Sequence, residues 1–214
     1  MNAHCFIDGG YLLALGKLLG KPLVNPLTLA RNITYSEEVQ YWRSAVPARN
    51  PKDLALEWPI GLARILFYDA RPEQSADEAM ESYWRAVELL PDVETKFGVL
   101  RGGRPRRPPR QKGVDGLIAV DMLVGAFRGL YQVGILIAGD ADFVPIVNAV
   151  RREGVMVVVA AEEASLADDL RRAADRVWPL DPAKRDADYP VLRGDDNAVW
   201  CVDETGKLAR VLER

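Results

Sequence analysis

The sequence predicts an α/β domain: a parallel, doubly wound sheet flanked by helices, followed by a C-terminal β-hairpin. Three observations predict it. Short apolar runs alternate with helix-period stretches from residue 4 to about residue 180, the order that right-handed βαβ crossovers produce. The runs at 135–138 and 155–160 contain no polar side chain, as strands covered on both faces require. Aspartates stand where two runs end, at Asp8 and Asp140, on the rim where open α/β sheets hold ligands.

Taken in order, residues 4–8 (HCFID) form a strand entering Gly9-Gly10, and Leu12, Leu13, Leu15, Leu18 and Leu19 follow at helical spacing. Pro22 and Pro26 interrupt that pattern. Residues 20–60 read poorly, apart from a short helix at 36–45 that Ser36 is placed to cap. Tyr35, Tyr41 and Trp42 are read as packing this insertion onto the domain. A second strand covers 62–68 and ends at Asp69. The helix at 77–90 has a stripe of Ala79, Met80, Tyr83, Trp84, Val87 and Leu90. A third strand at 96–100 runs into a basic loop.

A long helix at 114–131 carries Asp115 in its first turn. The fourth strand, at 135–138, leads to Asp140-Ala141-Asp142 and a helix to about Arg152. Gly154 ends that helix, and the fifth strand follows at 155–160. Ser165 is placed to cap a helix reaching about Asp175, and 177–180 suits an edge strand. Residues 199–202 and 208–212 flank a Gly-containing turn as a hairpin. An exposed edge of that hairpin is open to pairing with a second chain, so a homodimer is one expectation. The domain is drawn at 1–180, with an insertion at about 20–60 and an extension at 181–214.

The 214 residues suffice for one sizeable domain. No apolar stretch is long enough to span a bilayer and no signal-peptide pattern opens the chain, so a cytoplasmic protein without membrane contact is expected. Cys5 and Cys201 read as buried thiols, and the one histidine, His4, as structural. Net charge is −3, yet residues 101–112 (RGGRPRRPPRQK) carry six basic and no acidic side chains. That segment, with Arg104, Arg106, Arg107, Arg110 and Lys112, opposes the sign of the rest of the chain and suits phosphate contact. Its prolines keep it out of a helix.

Asp8, Asp115, Asp140 and Asp142 all fall near strand ends or helix starts. Each alone has a structural reading, as a turn residue or at a helix N-terminus. Gathered on one rim, they would repel each other unless a divalent cation offset the charge. An all-oxygen set without His or Cys points to Mg²⁺ or Mn²⁺. Such an ion would activate a water and bind phosphodiester oxygens. Asp121 lies six residues beyond Asp115, about 9 Å along a helix and roughly 120° around it. It therefore reads as second shell, or as a neighbour of Lys112 or an arginine.

The stretches FIDGGYL (6–12), KGVDGLIAVD (112–121), LIAGDADFVPIV (136–147), REGVMVVV (152–159) and SLADDLRRAAD (165–175) resemble the NYN domain family of PIN-like nucleases, in its LabA-like bacterial branch. The resemblance implies a Rossmann-like fold with strand order third-second-first-fourth-fifth, which sets Asp8 beside Asp140. It also implies a Mg²⁺-dependent ribonuclease with Asp8, Asp115, Asp140 and Asp142 as its acidic set, and a structural or site role for Asp121. The family commonly has Asn three residues after its first Asp; here that residue is Tyr11. Tyrosine can stack on substrate and donate one hydrogen bond, but does not mimic an amide. The expected activity is hydrolysis of RNA by a Mg²⁺-activated water, as an endoribonuclease. The alternative is an RNA-binding regulator with weak or no catalysis. An aspartyl-nucleophile phosphatase is disfavoured, because Asp8-Gly9-Gly10 lacks that mechanism's second acid.

Overall fold

The first strand sets the frame. β1 (Asn2–Asp8) has five consecutive buried residues, so it must be covered on both faces and paired on both edges. The computed structural model describes residues 1–19, 23–40, 60–72, 78–101, 110–180, 191–194, 197–202 and 208–212. In it β1 pairs in parallel with β2 (Gly61–Pro72) on one side and β5 (Val133–Ile137) on the other. β3 (Val93–Arg101) extends the sheet beyond β2, while β6 (Met156–Ala161) and β7 (Arg176–Pro179) extend it beyond β5, all in parallel. β4 (Arg110–Lys112) adds an antiparallel edge, giving the order β4-β3-β2-β1-β5-β6-β7. Within it, β3-β2-β1-β5-β6 is the order that the family resemblance implies.

Strand alternation divides the core into two layers. Cys5, Ile7, Phe67, Ile135 and Ile137 point into one, beneath α1 (Gly9–Leu19), α2 (Pro26–Thr34), α3 (Glu37–Gln40) and α4 (Glu78–Glu88). Phe6, Leu66, Tyr68, Leu136 and Val157 point into the other. That second layer is covered by α5 (Val114–Phe127), α6 (Val144–Arg152) and α7 (Asp168–Ala173). The period of two along each strand produces this division.

Several boundaries differ from the sequence reading, each for a local reason. Pro26 begins a helix instead of interrupting one. Asn25 accepts from the Leu27 and Thr28 amides at 3.0 and 3.3 Å, and proline suits the first helical position, where its missing N–H costs nothing. α3 is described over Glu37–Gln40, and the Gln40 side chain reaches the Thr34 and Ile60 carbonyls; the expected continuation over 41–45 lies outside the described residues. β2 runs past Asp69 to Pro72 because β3 stays paired with it that far. The end of the basic segment is a strand, not a loop, since 110–112 pairs with 99–101.

α5 stops at Phe127 rather than near 131. Gly129, at φ 65°, turns the chain so that its amide and that of Leu130 bond to the Ala126 and Gly125 carbonyls. α7 begins at Asp168 after Ala167, and Ser165 does not cap it. His4 is buried against Tyr131, ring centroids 4.9 Å apart, and burial lowers its pKa. Cys5 is buried, Cys201 only half-buried, and no disulfide joins them.

The C-terminal hairpin, β8 (Ala198–Val202) and β9 (Leu208–Leu212), forms as the sequence predicts. It belongs to the first core layer, where Trp200 is buried edge-on to Tyr83, centroids 6.3 Å apart. The Leu23 amide donates to the Trp200 carbonyl at 2.6 Å, which ties the start of α2's loop to β8.

Candidate acidic site at the carboxyl rim

Strand pairing places the acids. Ile7 of β1 is in register with Ile137 of β5, so Asp8 and Asp140 follow adjacent strands out of one rim. Two glycines allow the chain to turn there. A Cβ on Gly9 would lie 2.6 Å from Phe67 Cζ and 2.7 Å from the Tyr68 carbonyl, and a Cβ on Gly139 2.7 Å from the Ser165 carbonyl. Only the bare backbone fits, and α1 therefore starts directly against β2. On the far side, Gly113 adopts φ 92° and leads from β4 into α5, which carries Asp115 in its first turn. Asp140 caps a 3-10 turn over Ala141–Phe143, its carboxylate accepting from the Asp142 amide at 3.1 Å.

The electrostatics link these acids. Burial, followed by the Asp115 and Asp69 carboxylates, raises the Asp8 pKa to about 6. The Tyr11 and Gly10 amides work against the rise. Asp115 is raised too, by burial first and then by Asp140 and Asp142. Each acid of the predicted set thus lies within electrostatic reach of another member. Among the described residues, however, no group of three or more His, Cys, Asp or Glu side chains is gathered closely enough to hold an ion.

The donor set still fits a hard divalent cation in kind. It is wholly carboxylate, its mutual repulsion is the cost a cation offsets, and Mg²⁺ commonly takes only one or two carboxylates and keeps its waters. Asp8 and Asp140 follow neighbouring strands, and Asp115 is the acid that interacts with both.

Tyr11 points its hydroxyl to the opposite wall. The Glu162 amide donates to it at 2.8 Å, and it shares a 2.8 Å hydrogen bond with Ser165 Oγ. Its own amide donates to Asp8 Oδ1 at 3.2 Å. Tyr11 therefore pins α1 to the turn after β6, and burial raises its pKa.

Asp121 stands apart from the four acids. Tyr68 Oη and Lys96 Nζ both donate to its Oδ2 at 2.7 Å, so Lys96 is its cation among the described side chains. Arg110 and Lys112 lie on β4, in register with Arg101 and Val99. Arg104, Arg106 and Arg107 lie outside the described residues.

Two rim acids escaped the sequence reading. Asp69 is buried, raised by burial, and accepts from Trp84 Nε1 and the Ala70 amide, each at 2.8 Å. Glu162 is buried after β6 and accepts from the Ala164 and Ser165 amides at 3.0 and 2.8 Å. Their positions after apolar strands were the available signal. Their engaged oxygens make them supports of the rim.

Comparison with known proteins agrees with this architecture. A protein of unknown function from Vibrio parahaemolyticus RIMD 2210633 has a similar solved structure, with a TM-score of 0.52 and 17% identity, covering 84% of this chain and 93% of its own. At that identity the likeness concerns the fold alone. No curated protein matches the sequence. The NYN domain matches residues 59–181, a span that includes Asp115, Asp140 and Asp142, while β1 with Asp8 precedes it. With more than half its length matched on a sheet of this order, the chain belongs to the NYN domain family, within the PIN-like nuclease superfamily.

Proposed function

We propose that this chain is a metal-dependent ribonuclease of the LabA-like branch, cleaving RNA phosphodiester bonds at the rim of Asp8, Asp115, Asp140 and Asp142. The observation that carries the reading is strand pairing that sends Asp8 and Asp140 out of one rim on adjacent strands, with Asp115 close enough to Asp8 and to Asp140 to act on both. Proteins seldom keep such groups together without a use for their charge. Asp8 and Asp140 would hold Mg²⁺ or Mn²⁺, with Asp115 and Asp142 contributing directly or through water. When bound, the ion offsets the acids' repulsion and supplies Lewis acidity toward phosphate oxygens and water.

The chain's own residues do the rest. Tyr11 and the two rim glycines fix where Asp8 and Asp140 emerge. The Asp121 carboxylate, held by Tyr68 and Lys96, fastens α5 and so positions Asp115. The segment 101–112 meets the RNA backbone through its guanidinium and ammonium groups, which gives affinity without sequence choice.

The test is cleavage of end-labelled RNAs by purified protein in Mg²⁺ or Mn²⁺, beside Asp8→Asn and Asp140→Asn. Cleavage that needs the metal and disappears in both variants supports the reading. Full cleavage by both variants refutes it. One observation favours a second reading, an RNA-binding protein with little catalysis: the Tyr11 hydroxyl is spent on the 162–165 turn. Metal binding by calorimetry without cleavage of varied RNAs would select that reading.

A further inference from the structure

α5 is apolar on nearly every side: of its residues VDGLIAVDMLVGAF only Asp115 and Asp121 are charged. One side packs on the sheet through Val114, Ile118, Met122 and Ala126. The other side faces out. Val120 is 60% exposed, Leu123 37%, Val124 42% and Phe127 77%, and Leu130 beyond the cap is 50% exposed. The first four stand at i, i+3, i+4 and i+7, the spacing of a helix-pairing seam. A helix apolar all round is normally buried all round.

We infer that this face of α5 is the contact between two copies of the chain, packed about a two-fold axis. The patch exposes on the order of 500 Å² of apolar side chain, in the upper half of the roughly 300–600 Å² that a monomer's largest patch spans, a size that is often functional. Against a second copy it removes about 1,000 Å² from water, and a polar rim brings that into the range of stable interfaces, roughly 1,200–2,000 Å². The stripe carries no charge, so the same surface meets itself without repulsion, as a two-fold contact requires. A partner recognised by charge would find nothing there to pair with. The seam lies toward the helix's carboxyl end, and Phe127 is about 18 Å from Asp115 along the axis. The association rests on this face alone and stands whether or not the acidic rims cleave RNA.

Light scattering after size exclusion tests this on the full chain. The wild type is expected at twice 23.8 kDa and Phe127→Glu at once that mass, with unchanged circular dichroism. Val124→Cys in a Cys201→Ser background is expected to cross-link to a covalent dimer under mild oxidation, while Cys201→Ser alone does not. A monomeric wild type at micromolar concentration overturns the proposal. So does a Phe127→Glu dimer, which would place the contact elsewhere, for instance on the hairpin edge. An unfolded Phe127→Glu without the Val124→Cys cross-link also overturns it, since the chain itself would then cover the stripe.

Discussion

Replacing Asp8 with asparagine should abolish cleavage and, in chelator, make the protein more stable. The side chain is largely removed from water, and its pKa stands at about 6 against an ordinary 3.8. A native pKa above the unfolded one means that the fold favours the protonated acid. As pH rises, the unfolded chain releases this proton first, near 3.8, and the native chain only near 6. Stability from this group is therefore lost across that window and the full penalty applies above it, amounting to about 3 kcal/mol.

Asparagine keeps an acceptor for the Tyr11 amide and carries no charge. At pH 8 without divalent ions, Asp8→Asn should melt about 6–12 °C above the wild type for a chain of this size. Near pH 3.5 the gain should vanish, because the native wild-type carboxyl is then protonated. Mg²⁺ at a hundred times its Kd should stabilise the wild type by about 2.7 kcal/mol and the variant by much less. Calorimetric melts at both pH values, with EDTA and with Mg²⁺, read all of this. A variant that melts no higher than the wild type at pH 8 in EDTA would refute the electrostatic account, as would a gain that persists at pH 3.5.

Other outcomes follow from single contacts. Tyr11→Phe leaves the Glu162 amide without its acceptor and should cost about 1–3 kcal/mol in urea melts, and fluorescence anisotropy should show RNA affinity nearly unchanged. Asp69→Leu strands the Trp84 indole N–H in the core and should cost a similar amount, about 1–3 kcal/mol, whereas Asp69→Asn should cost less. Removing that carboxylate should also lower the Asp8 pKa, seen as a downward shift of the side-chain carboxyl titration by NMR. Trp200→Ala should destabilise the whole domain by about 3–5 kcal/mol in one cooperative transition, because the hairpin shares the first core layer. A separate early transition would show that the hairpin folds on its own.

The centre of the sheet was legible because β1, β5 and β6 are buried on both faces. Runs such as Ile135-Leu136-Ile137 admit one environment, and their alternation with helices restricts the topology to a few orders. The antiparallel β4 was not legible: Arg110-Gln111-Lys112 has no apolar pattern, and only its register with 99–101 makes it a strand. α2 was hidden for a different reason. Pro26 is a breaker inside a helix and a starter at its first position, and Asn25, the residue that decides between them, needs its φ and ψ to be recognised as a cap.

The candidate site divides along the same line. Asp8 and Asp140 could be placed from sequence because they end strands, and strand ends share a rim whatever the side chains do. Side chains reaching across the rim had no such rule. Tyr11 was expected to face substrate, but a phenol on the first turn of α1 is long enough to cross to the turn after β6, where an amide and a hydroxyl await it. Asp121 was expected beside Lys112 or an arginine because the basic segment adjoins it in sequence. The sheet brings Lys96 and Tyr68 from two strands to the same carboxylate oxygen, partners that nearness in sequence does not name. Charge partners are chosen by register, and register is a property of the folded sheet. The positions of acids could thus be argued from the chain alone, whereas which of them are supports and which are open to a ligand required the hydrogen bonds. Asp69 and Glu162 spend their oxygens on Trp84 and on backbone amides. Asp115 is exposed and no such bond holds its carboxylate among the described contacts, so neighbouring acids, not donors, set its environment.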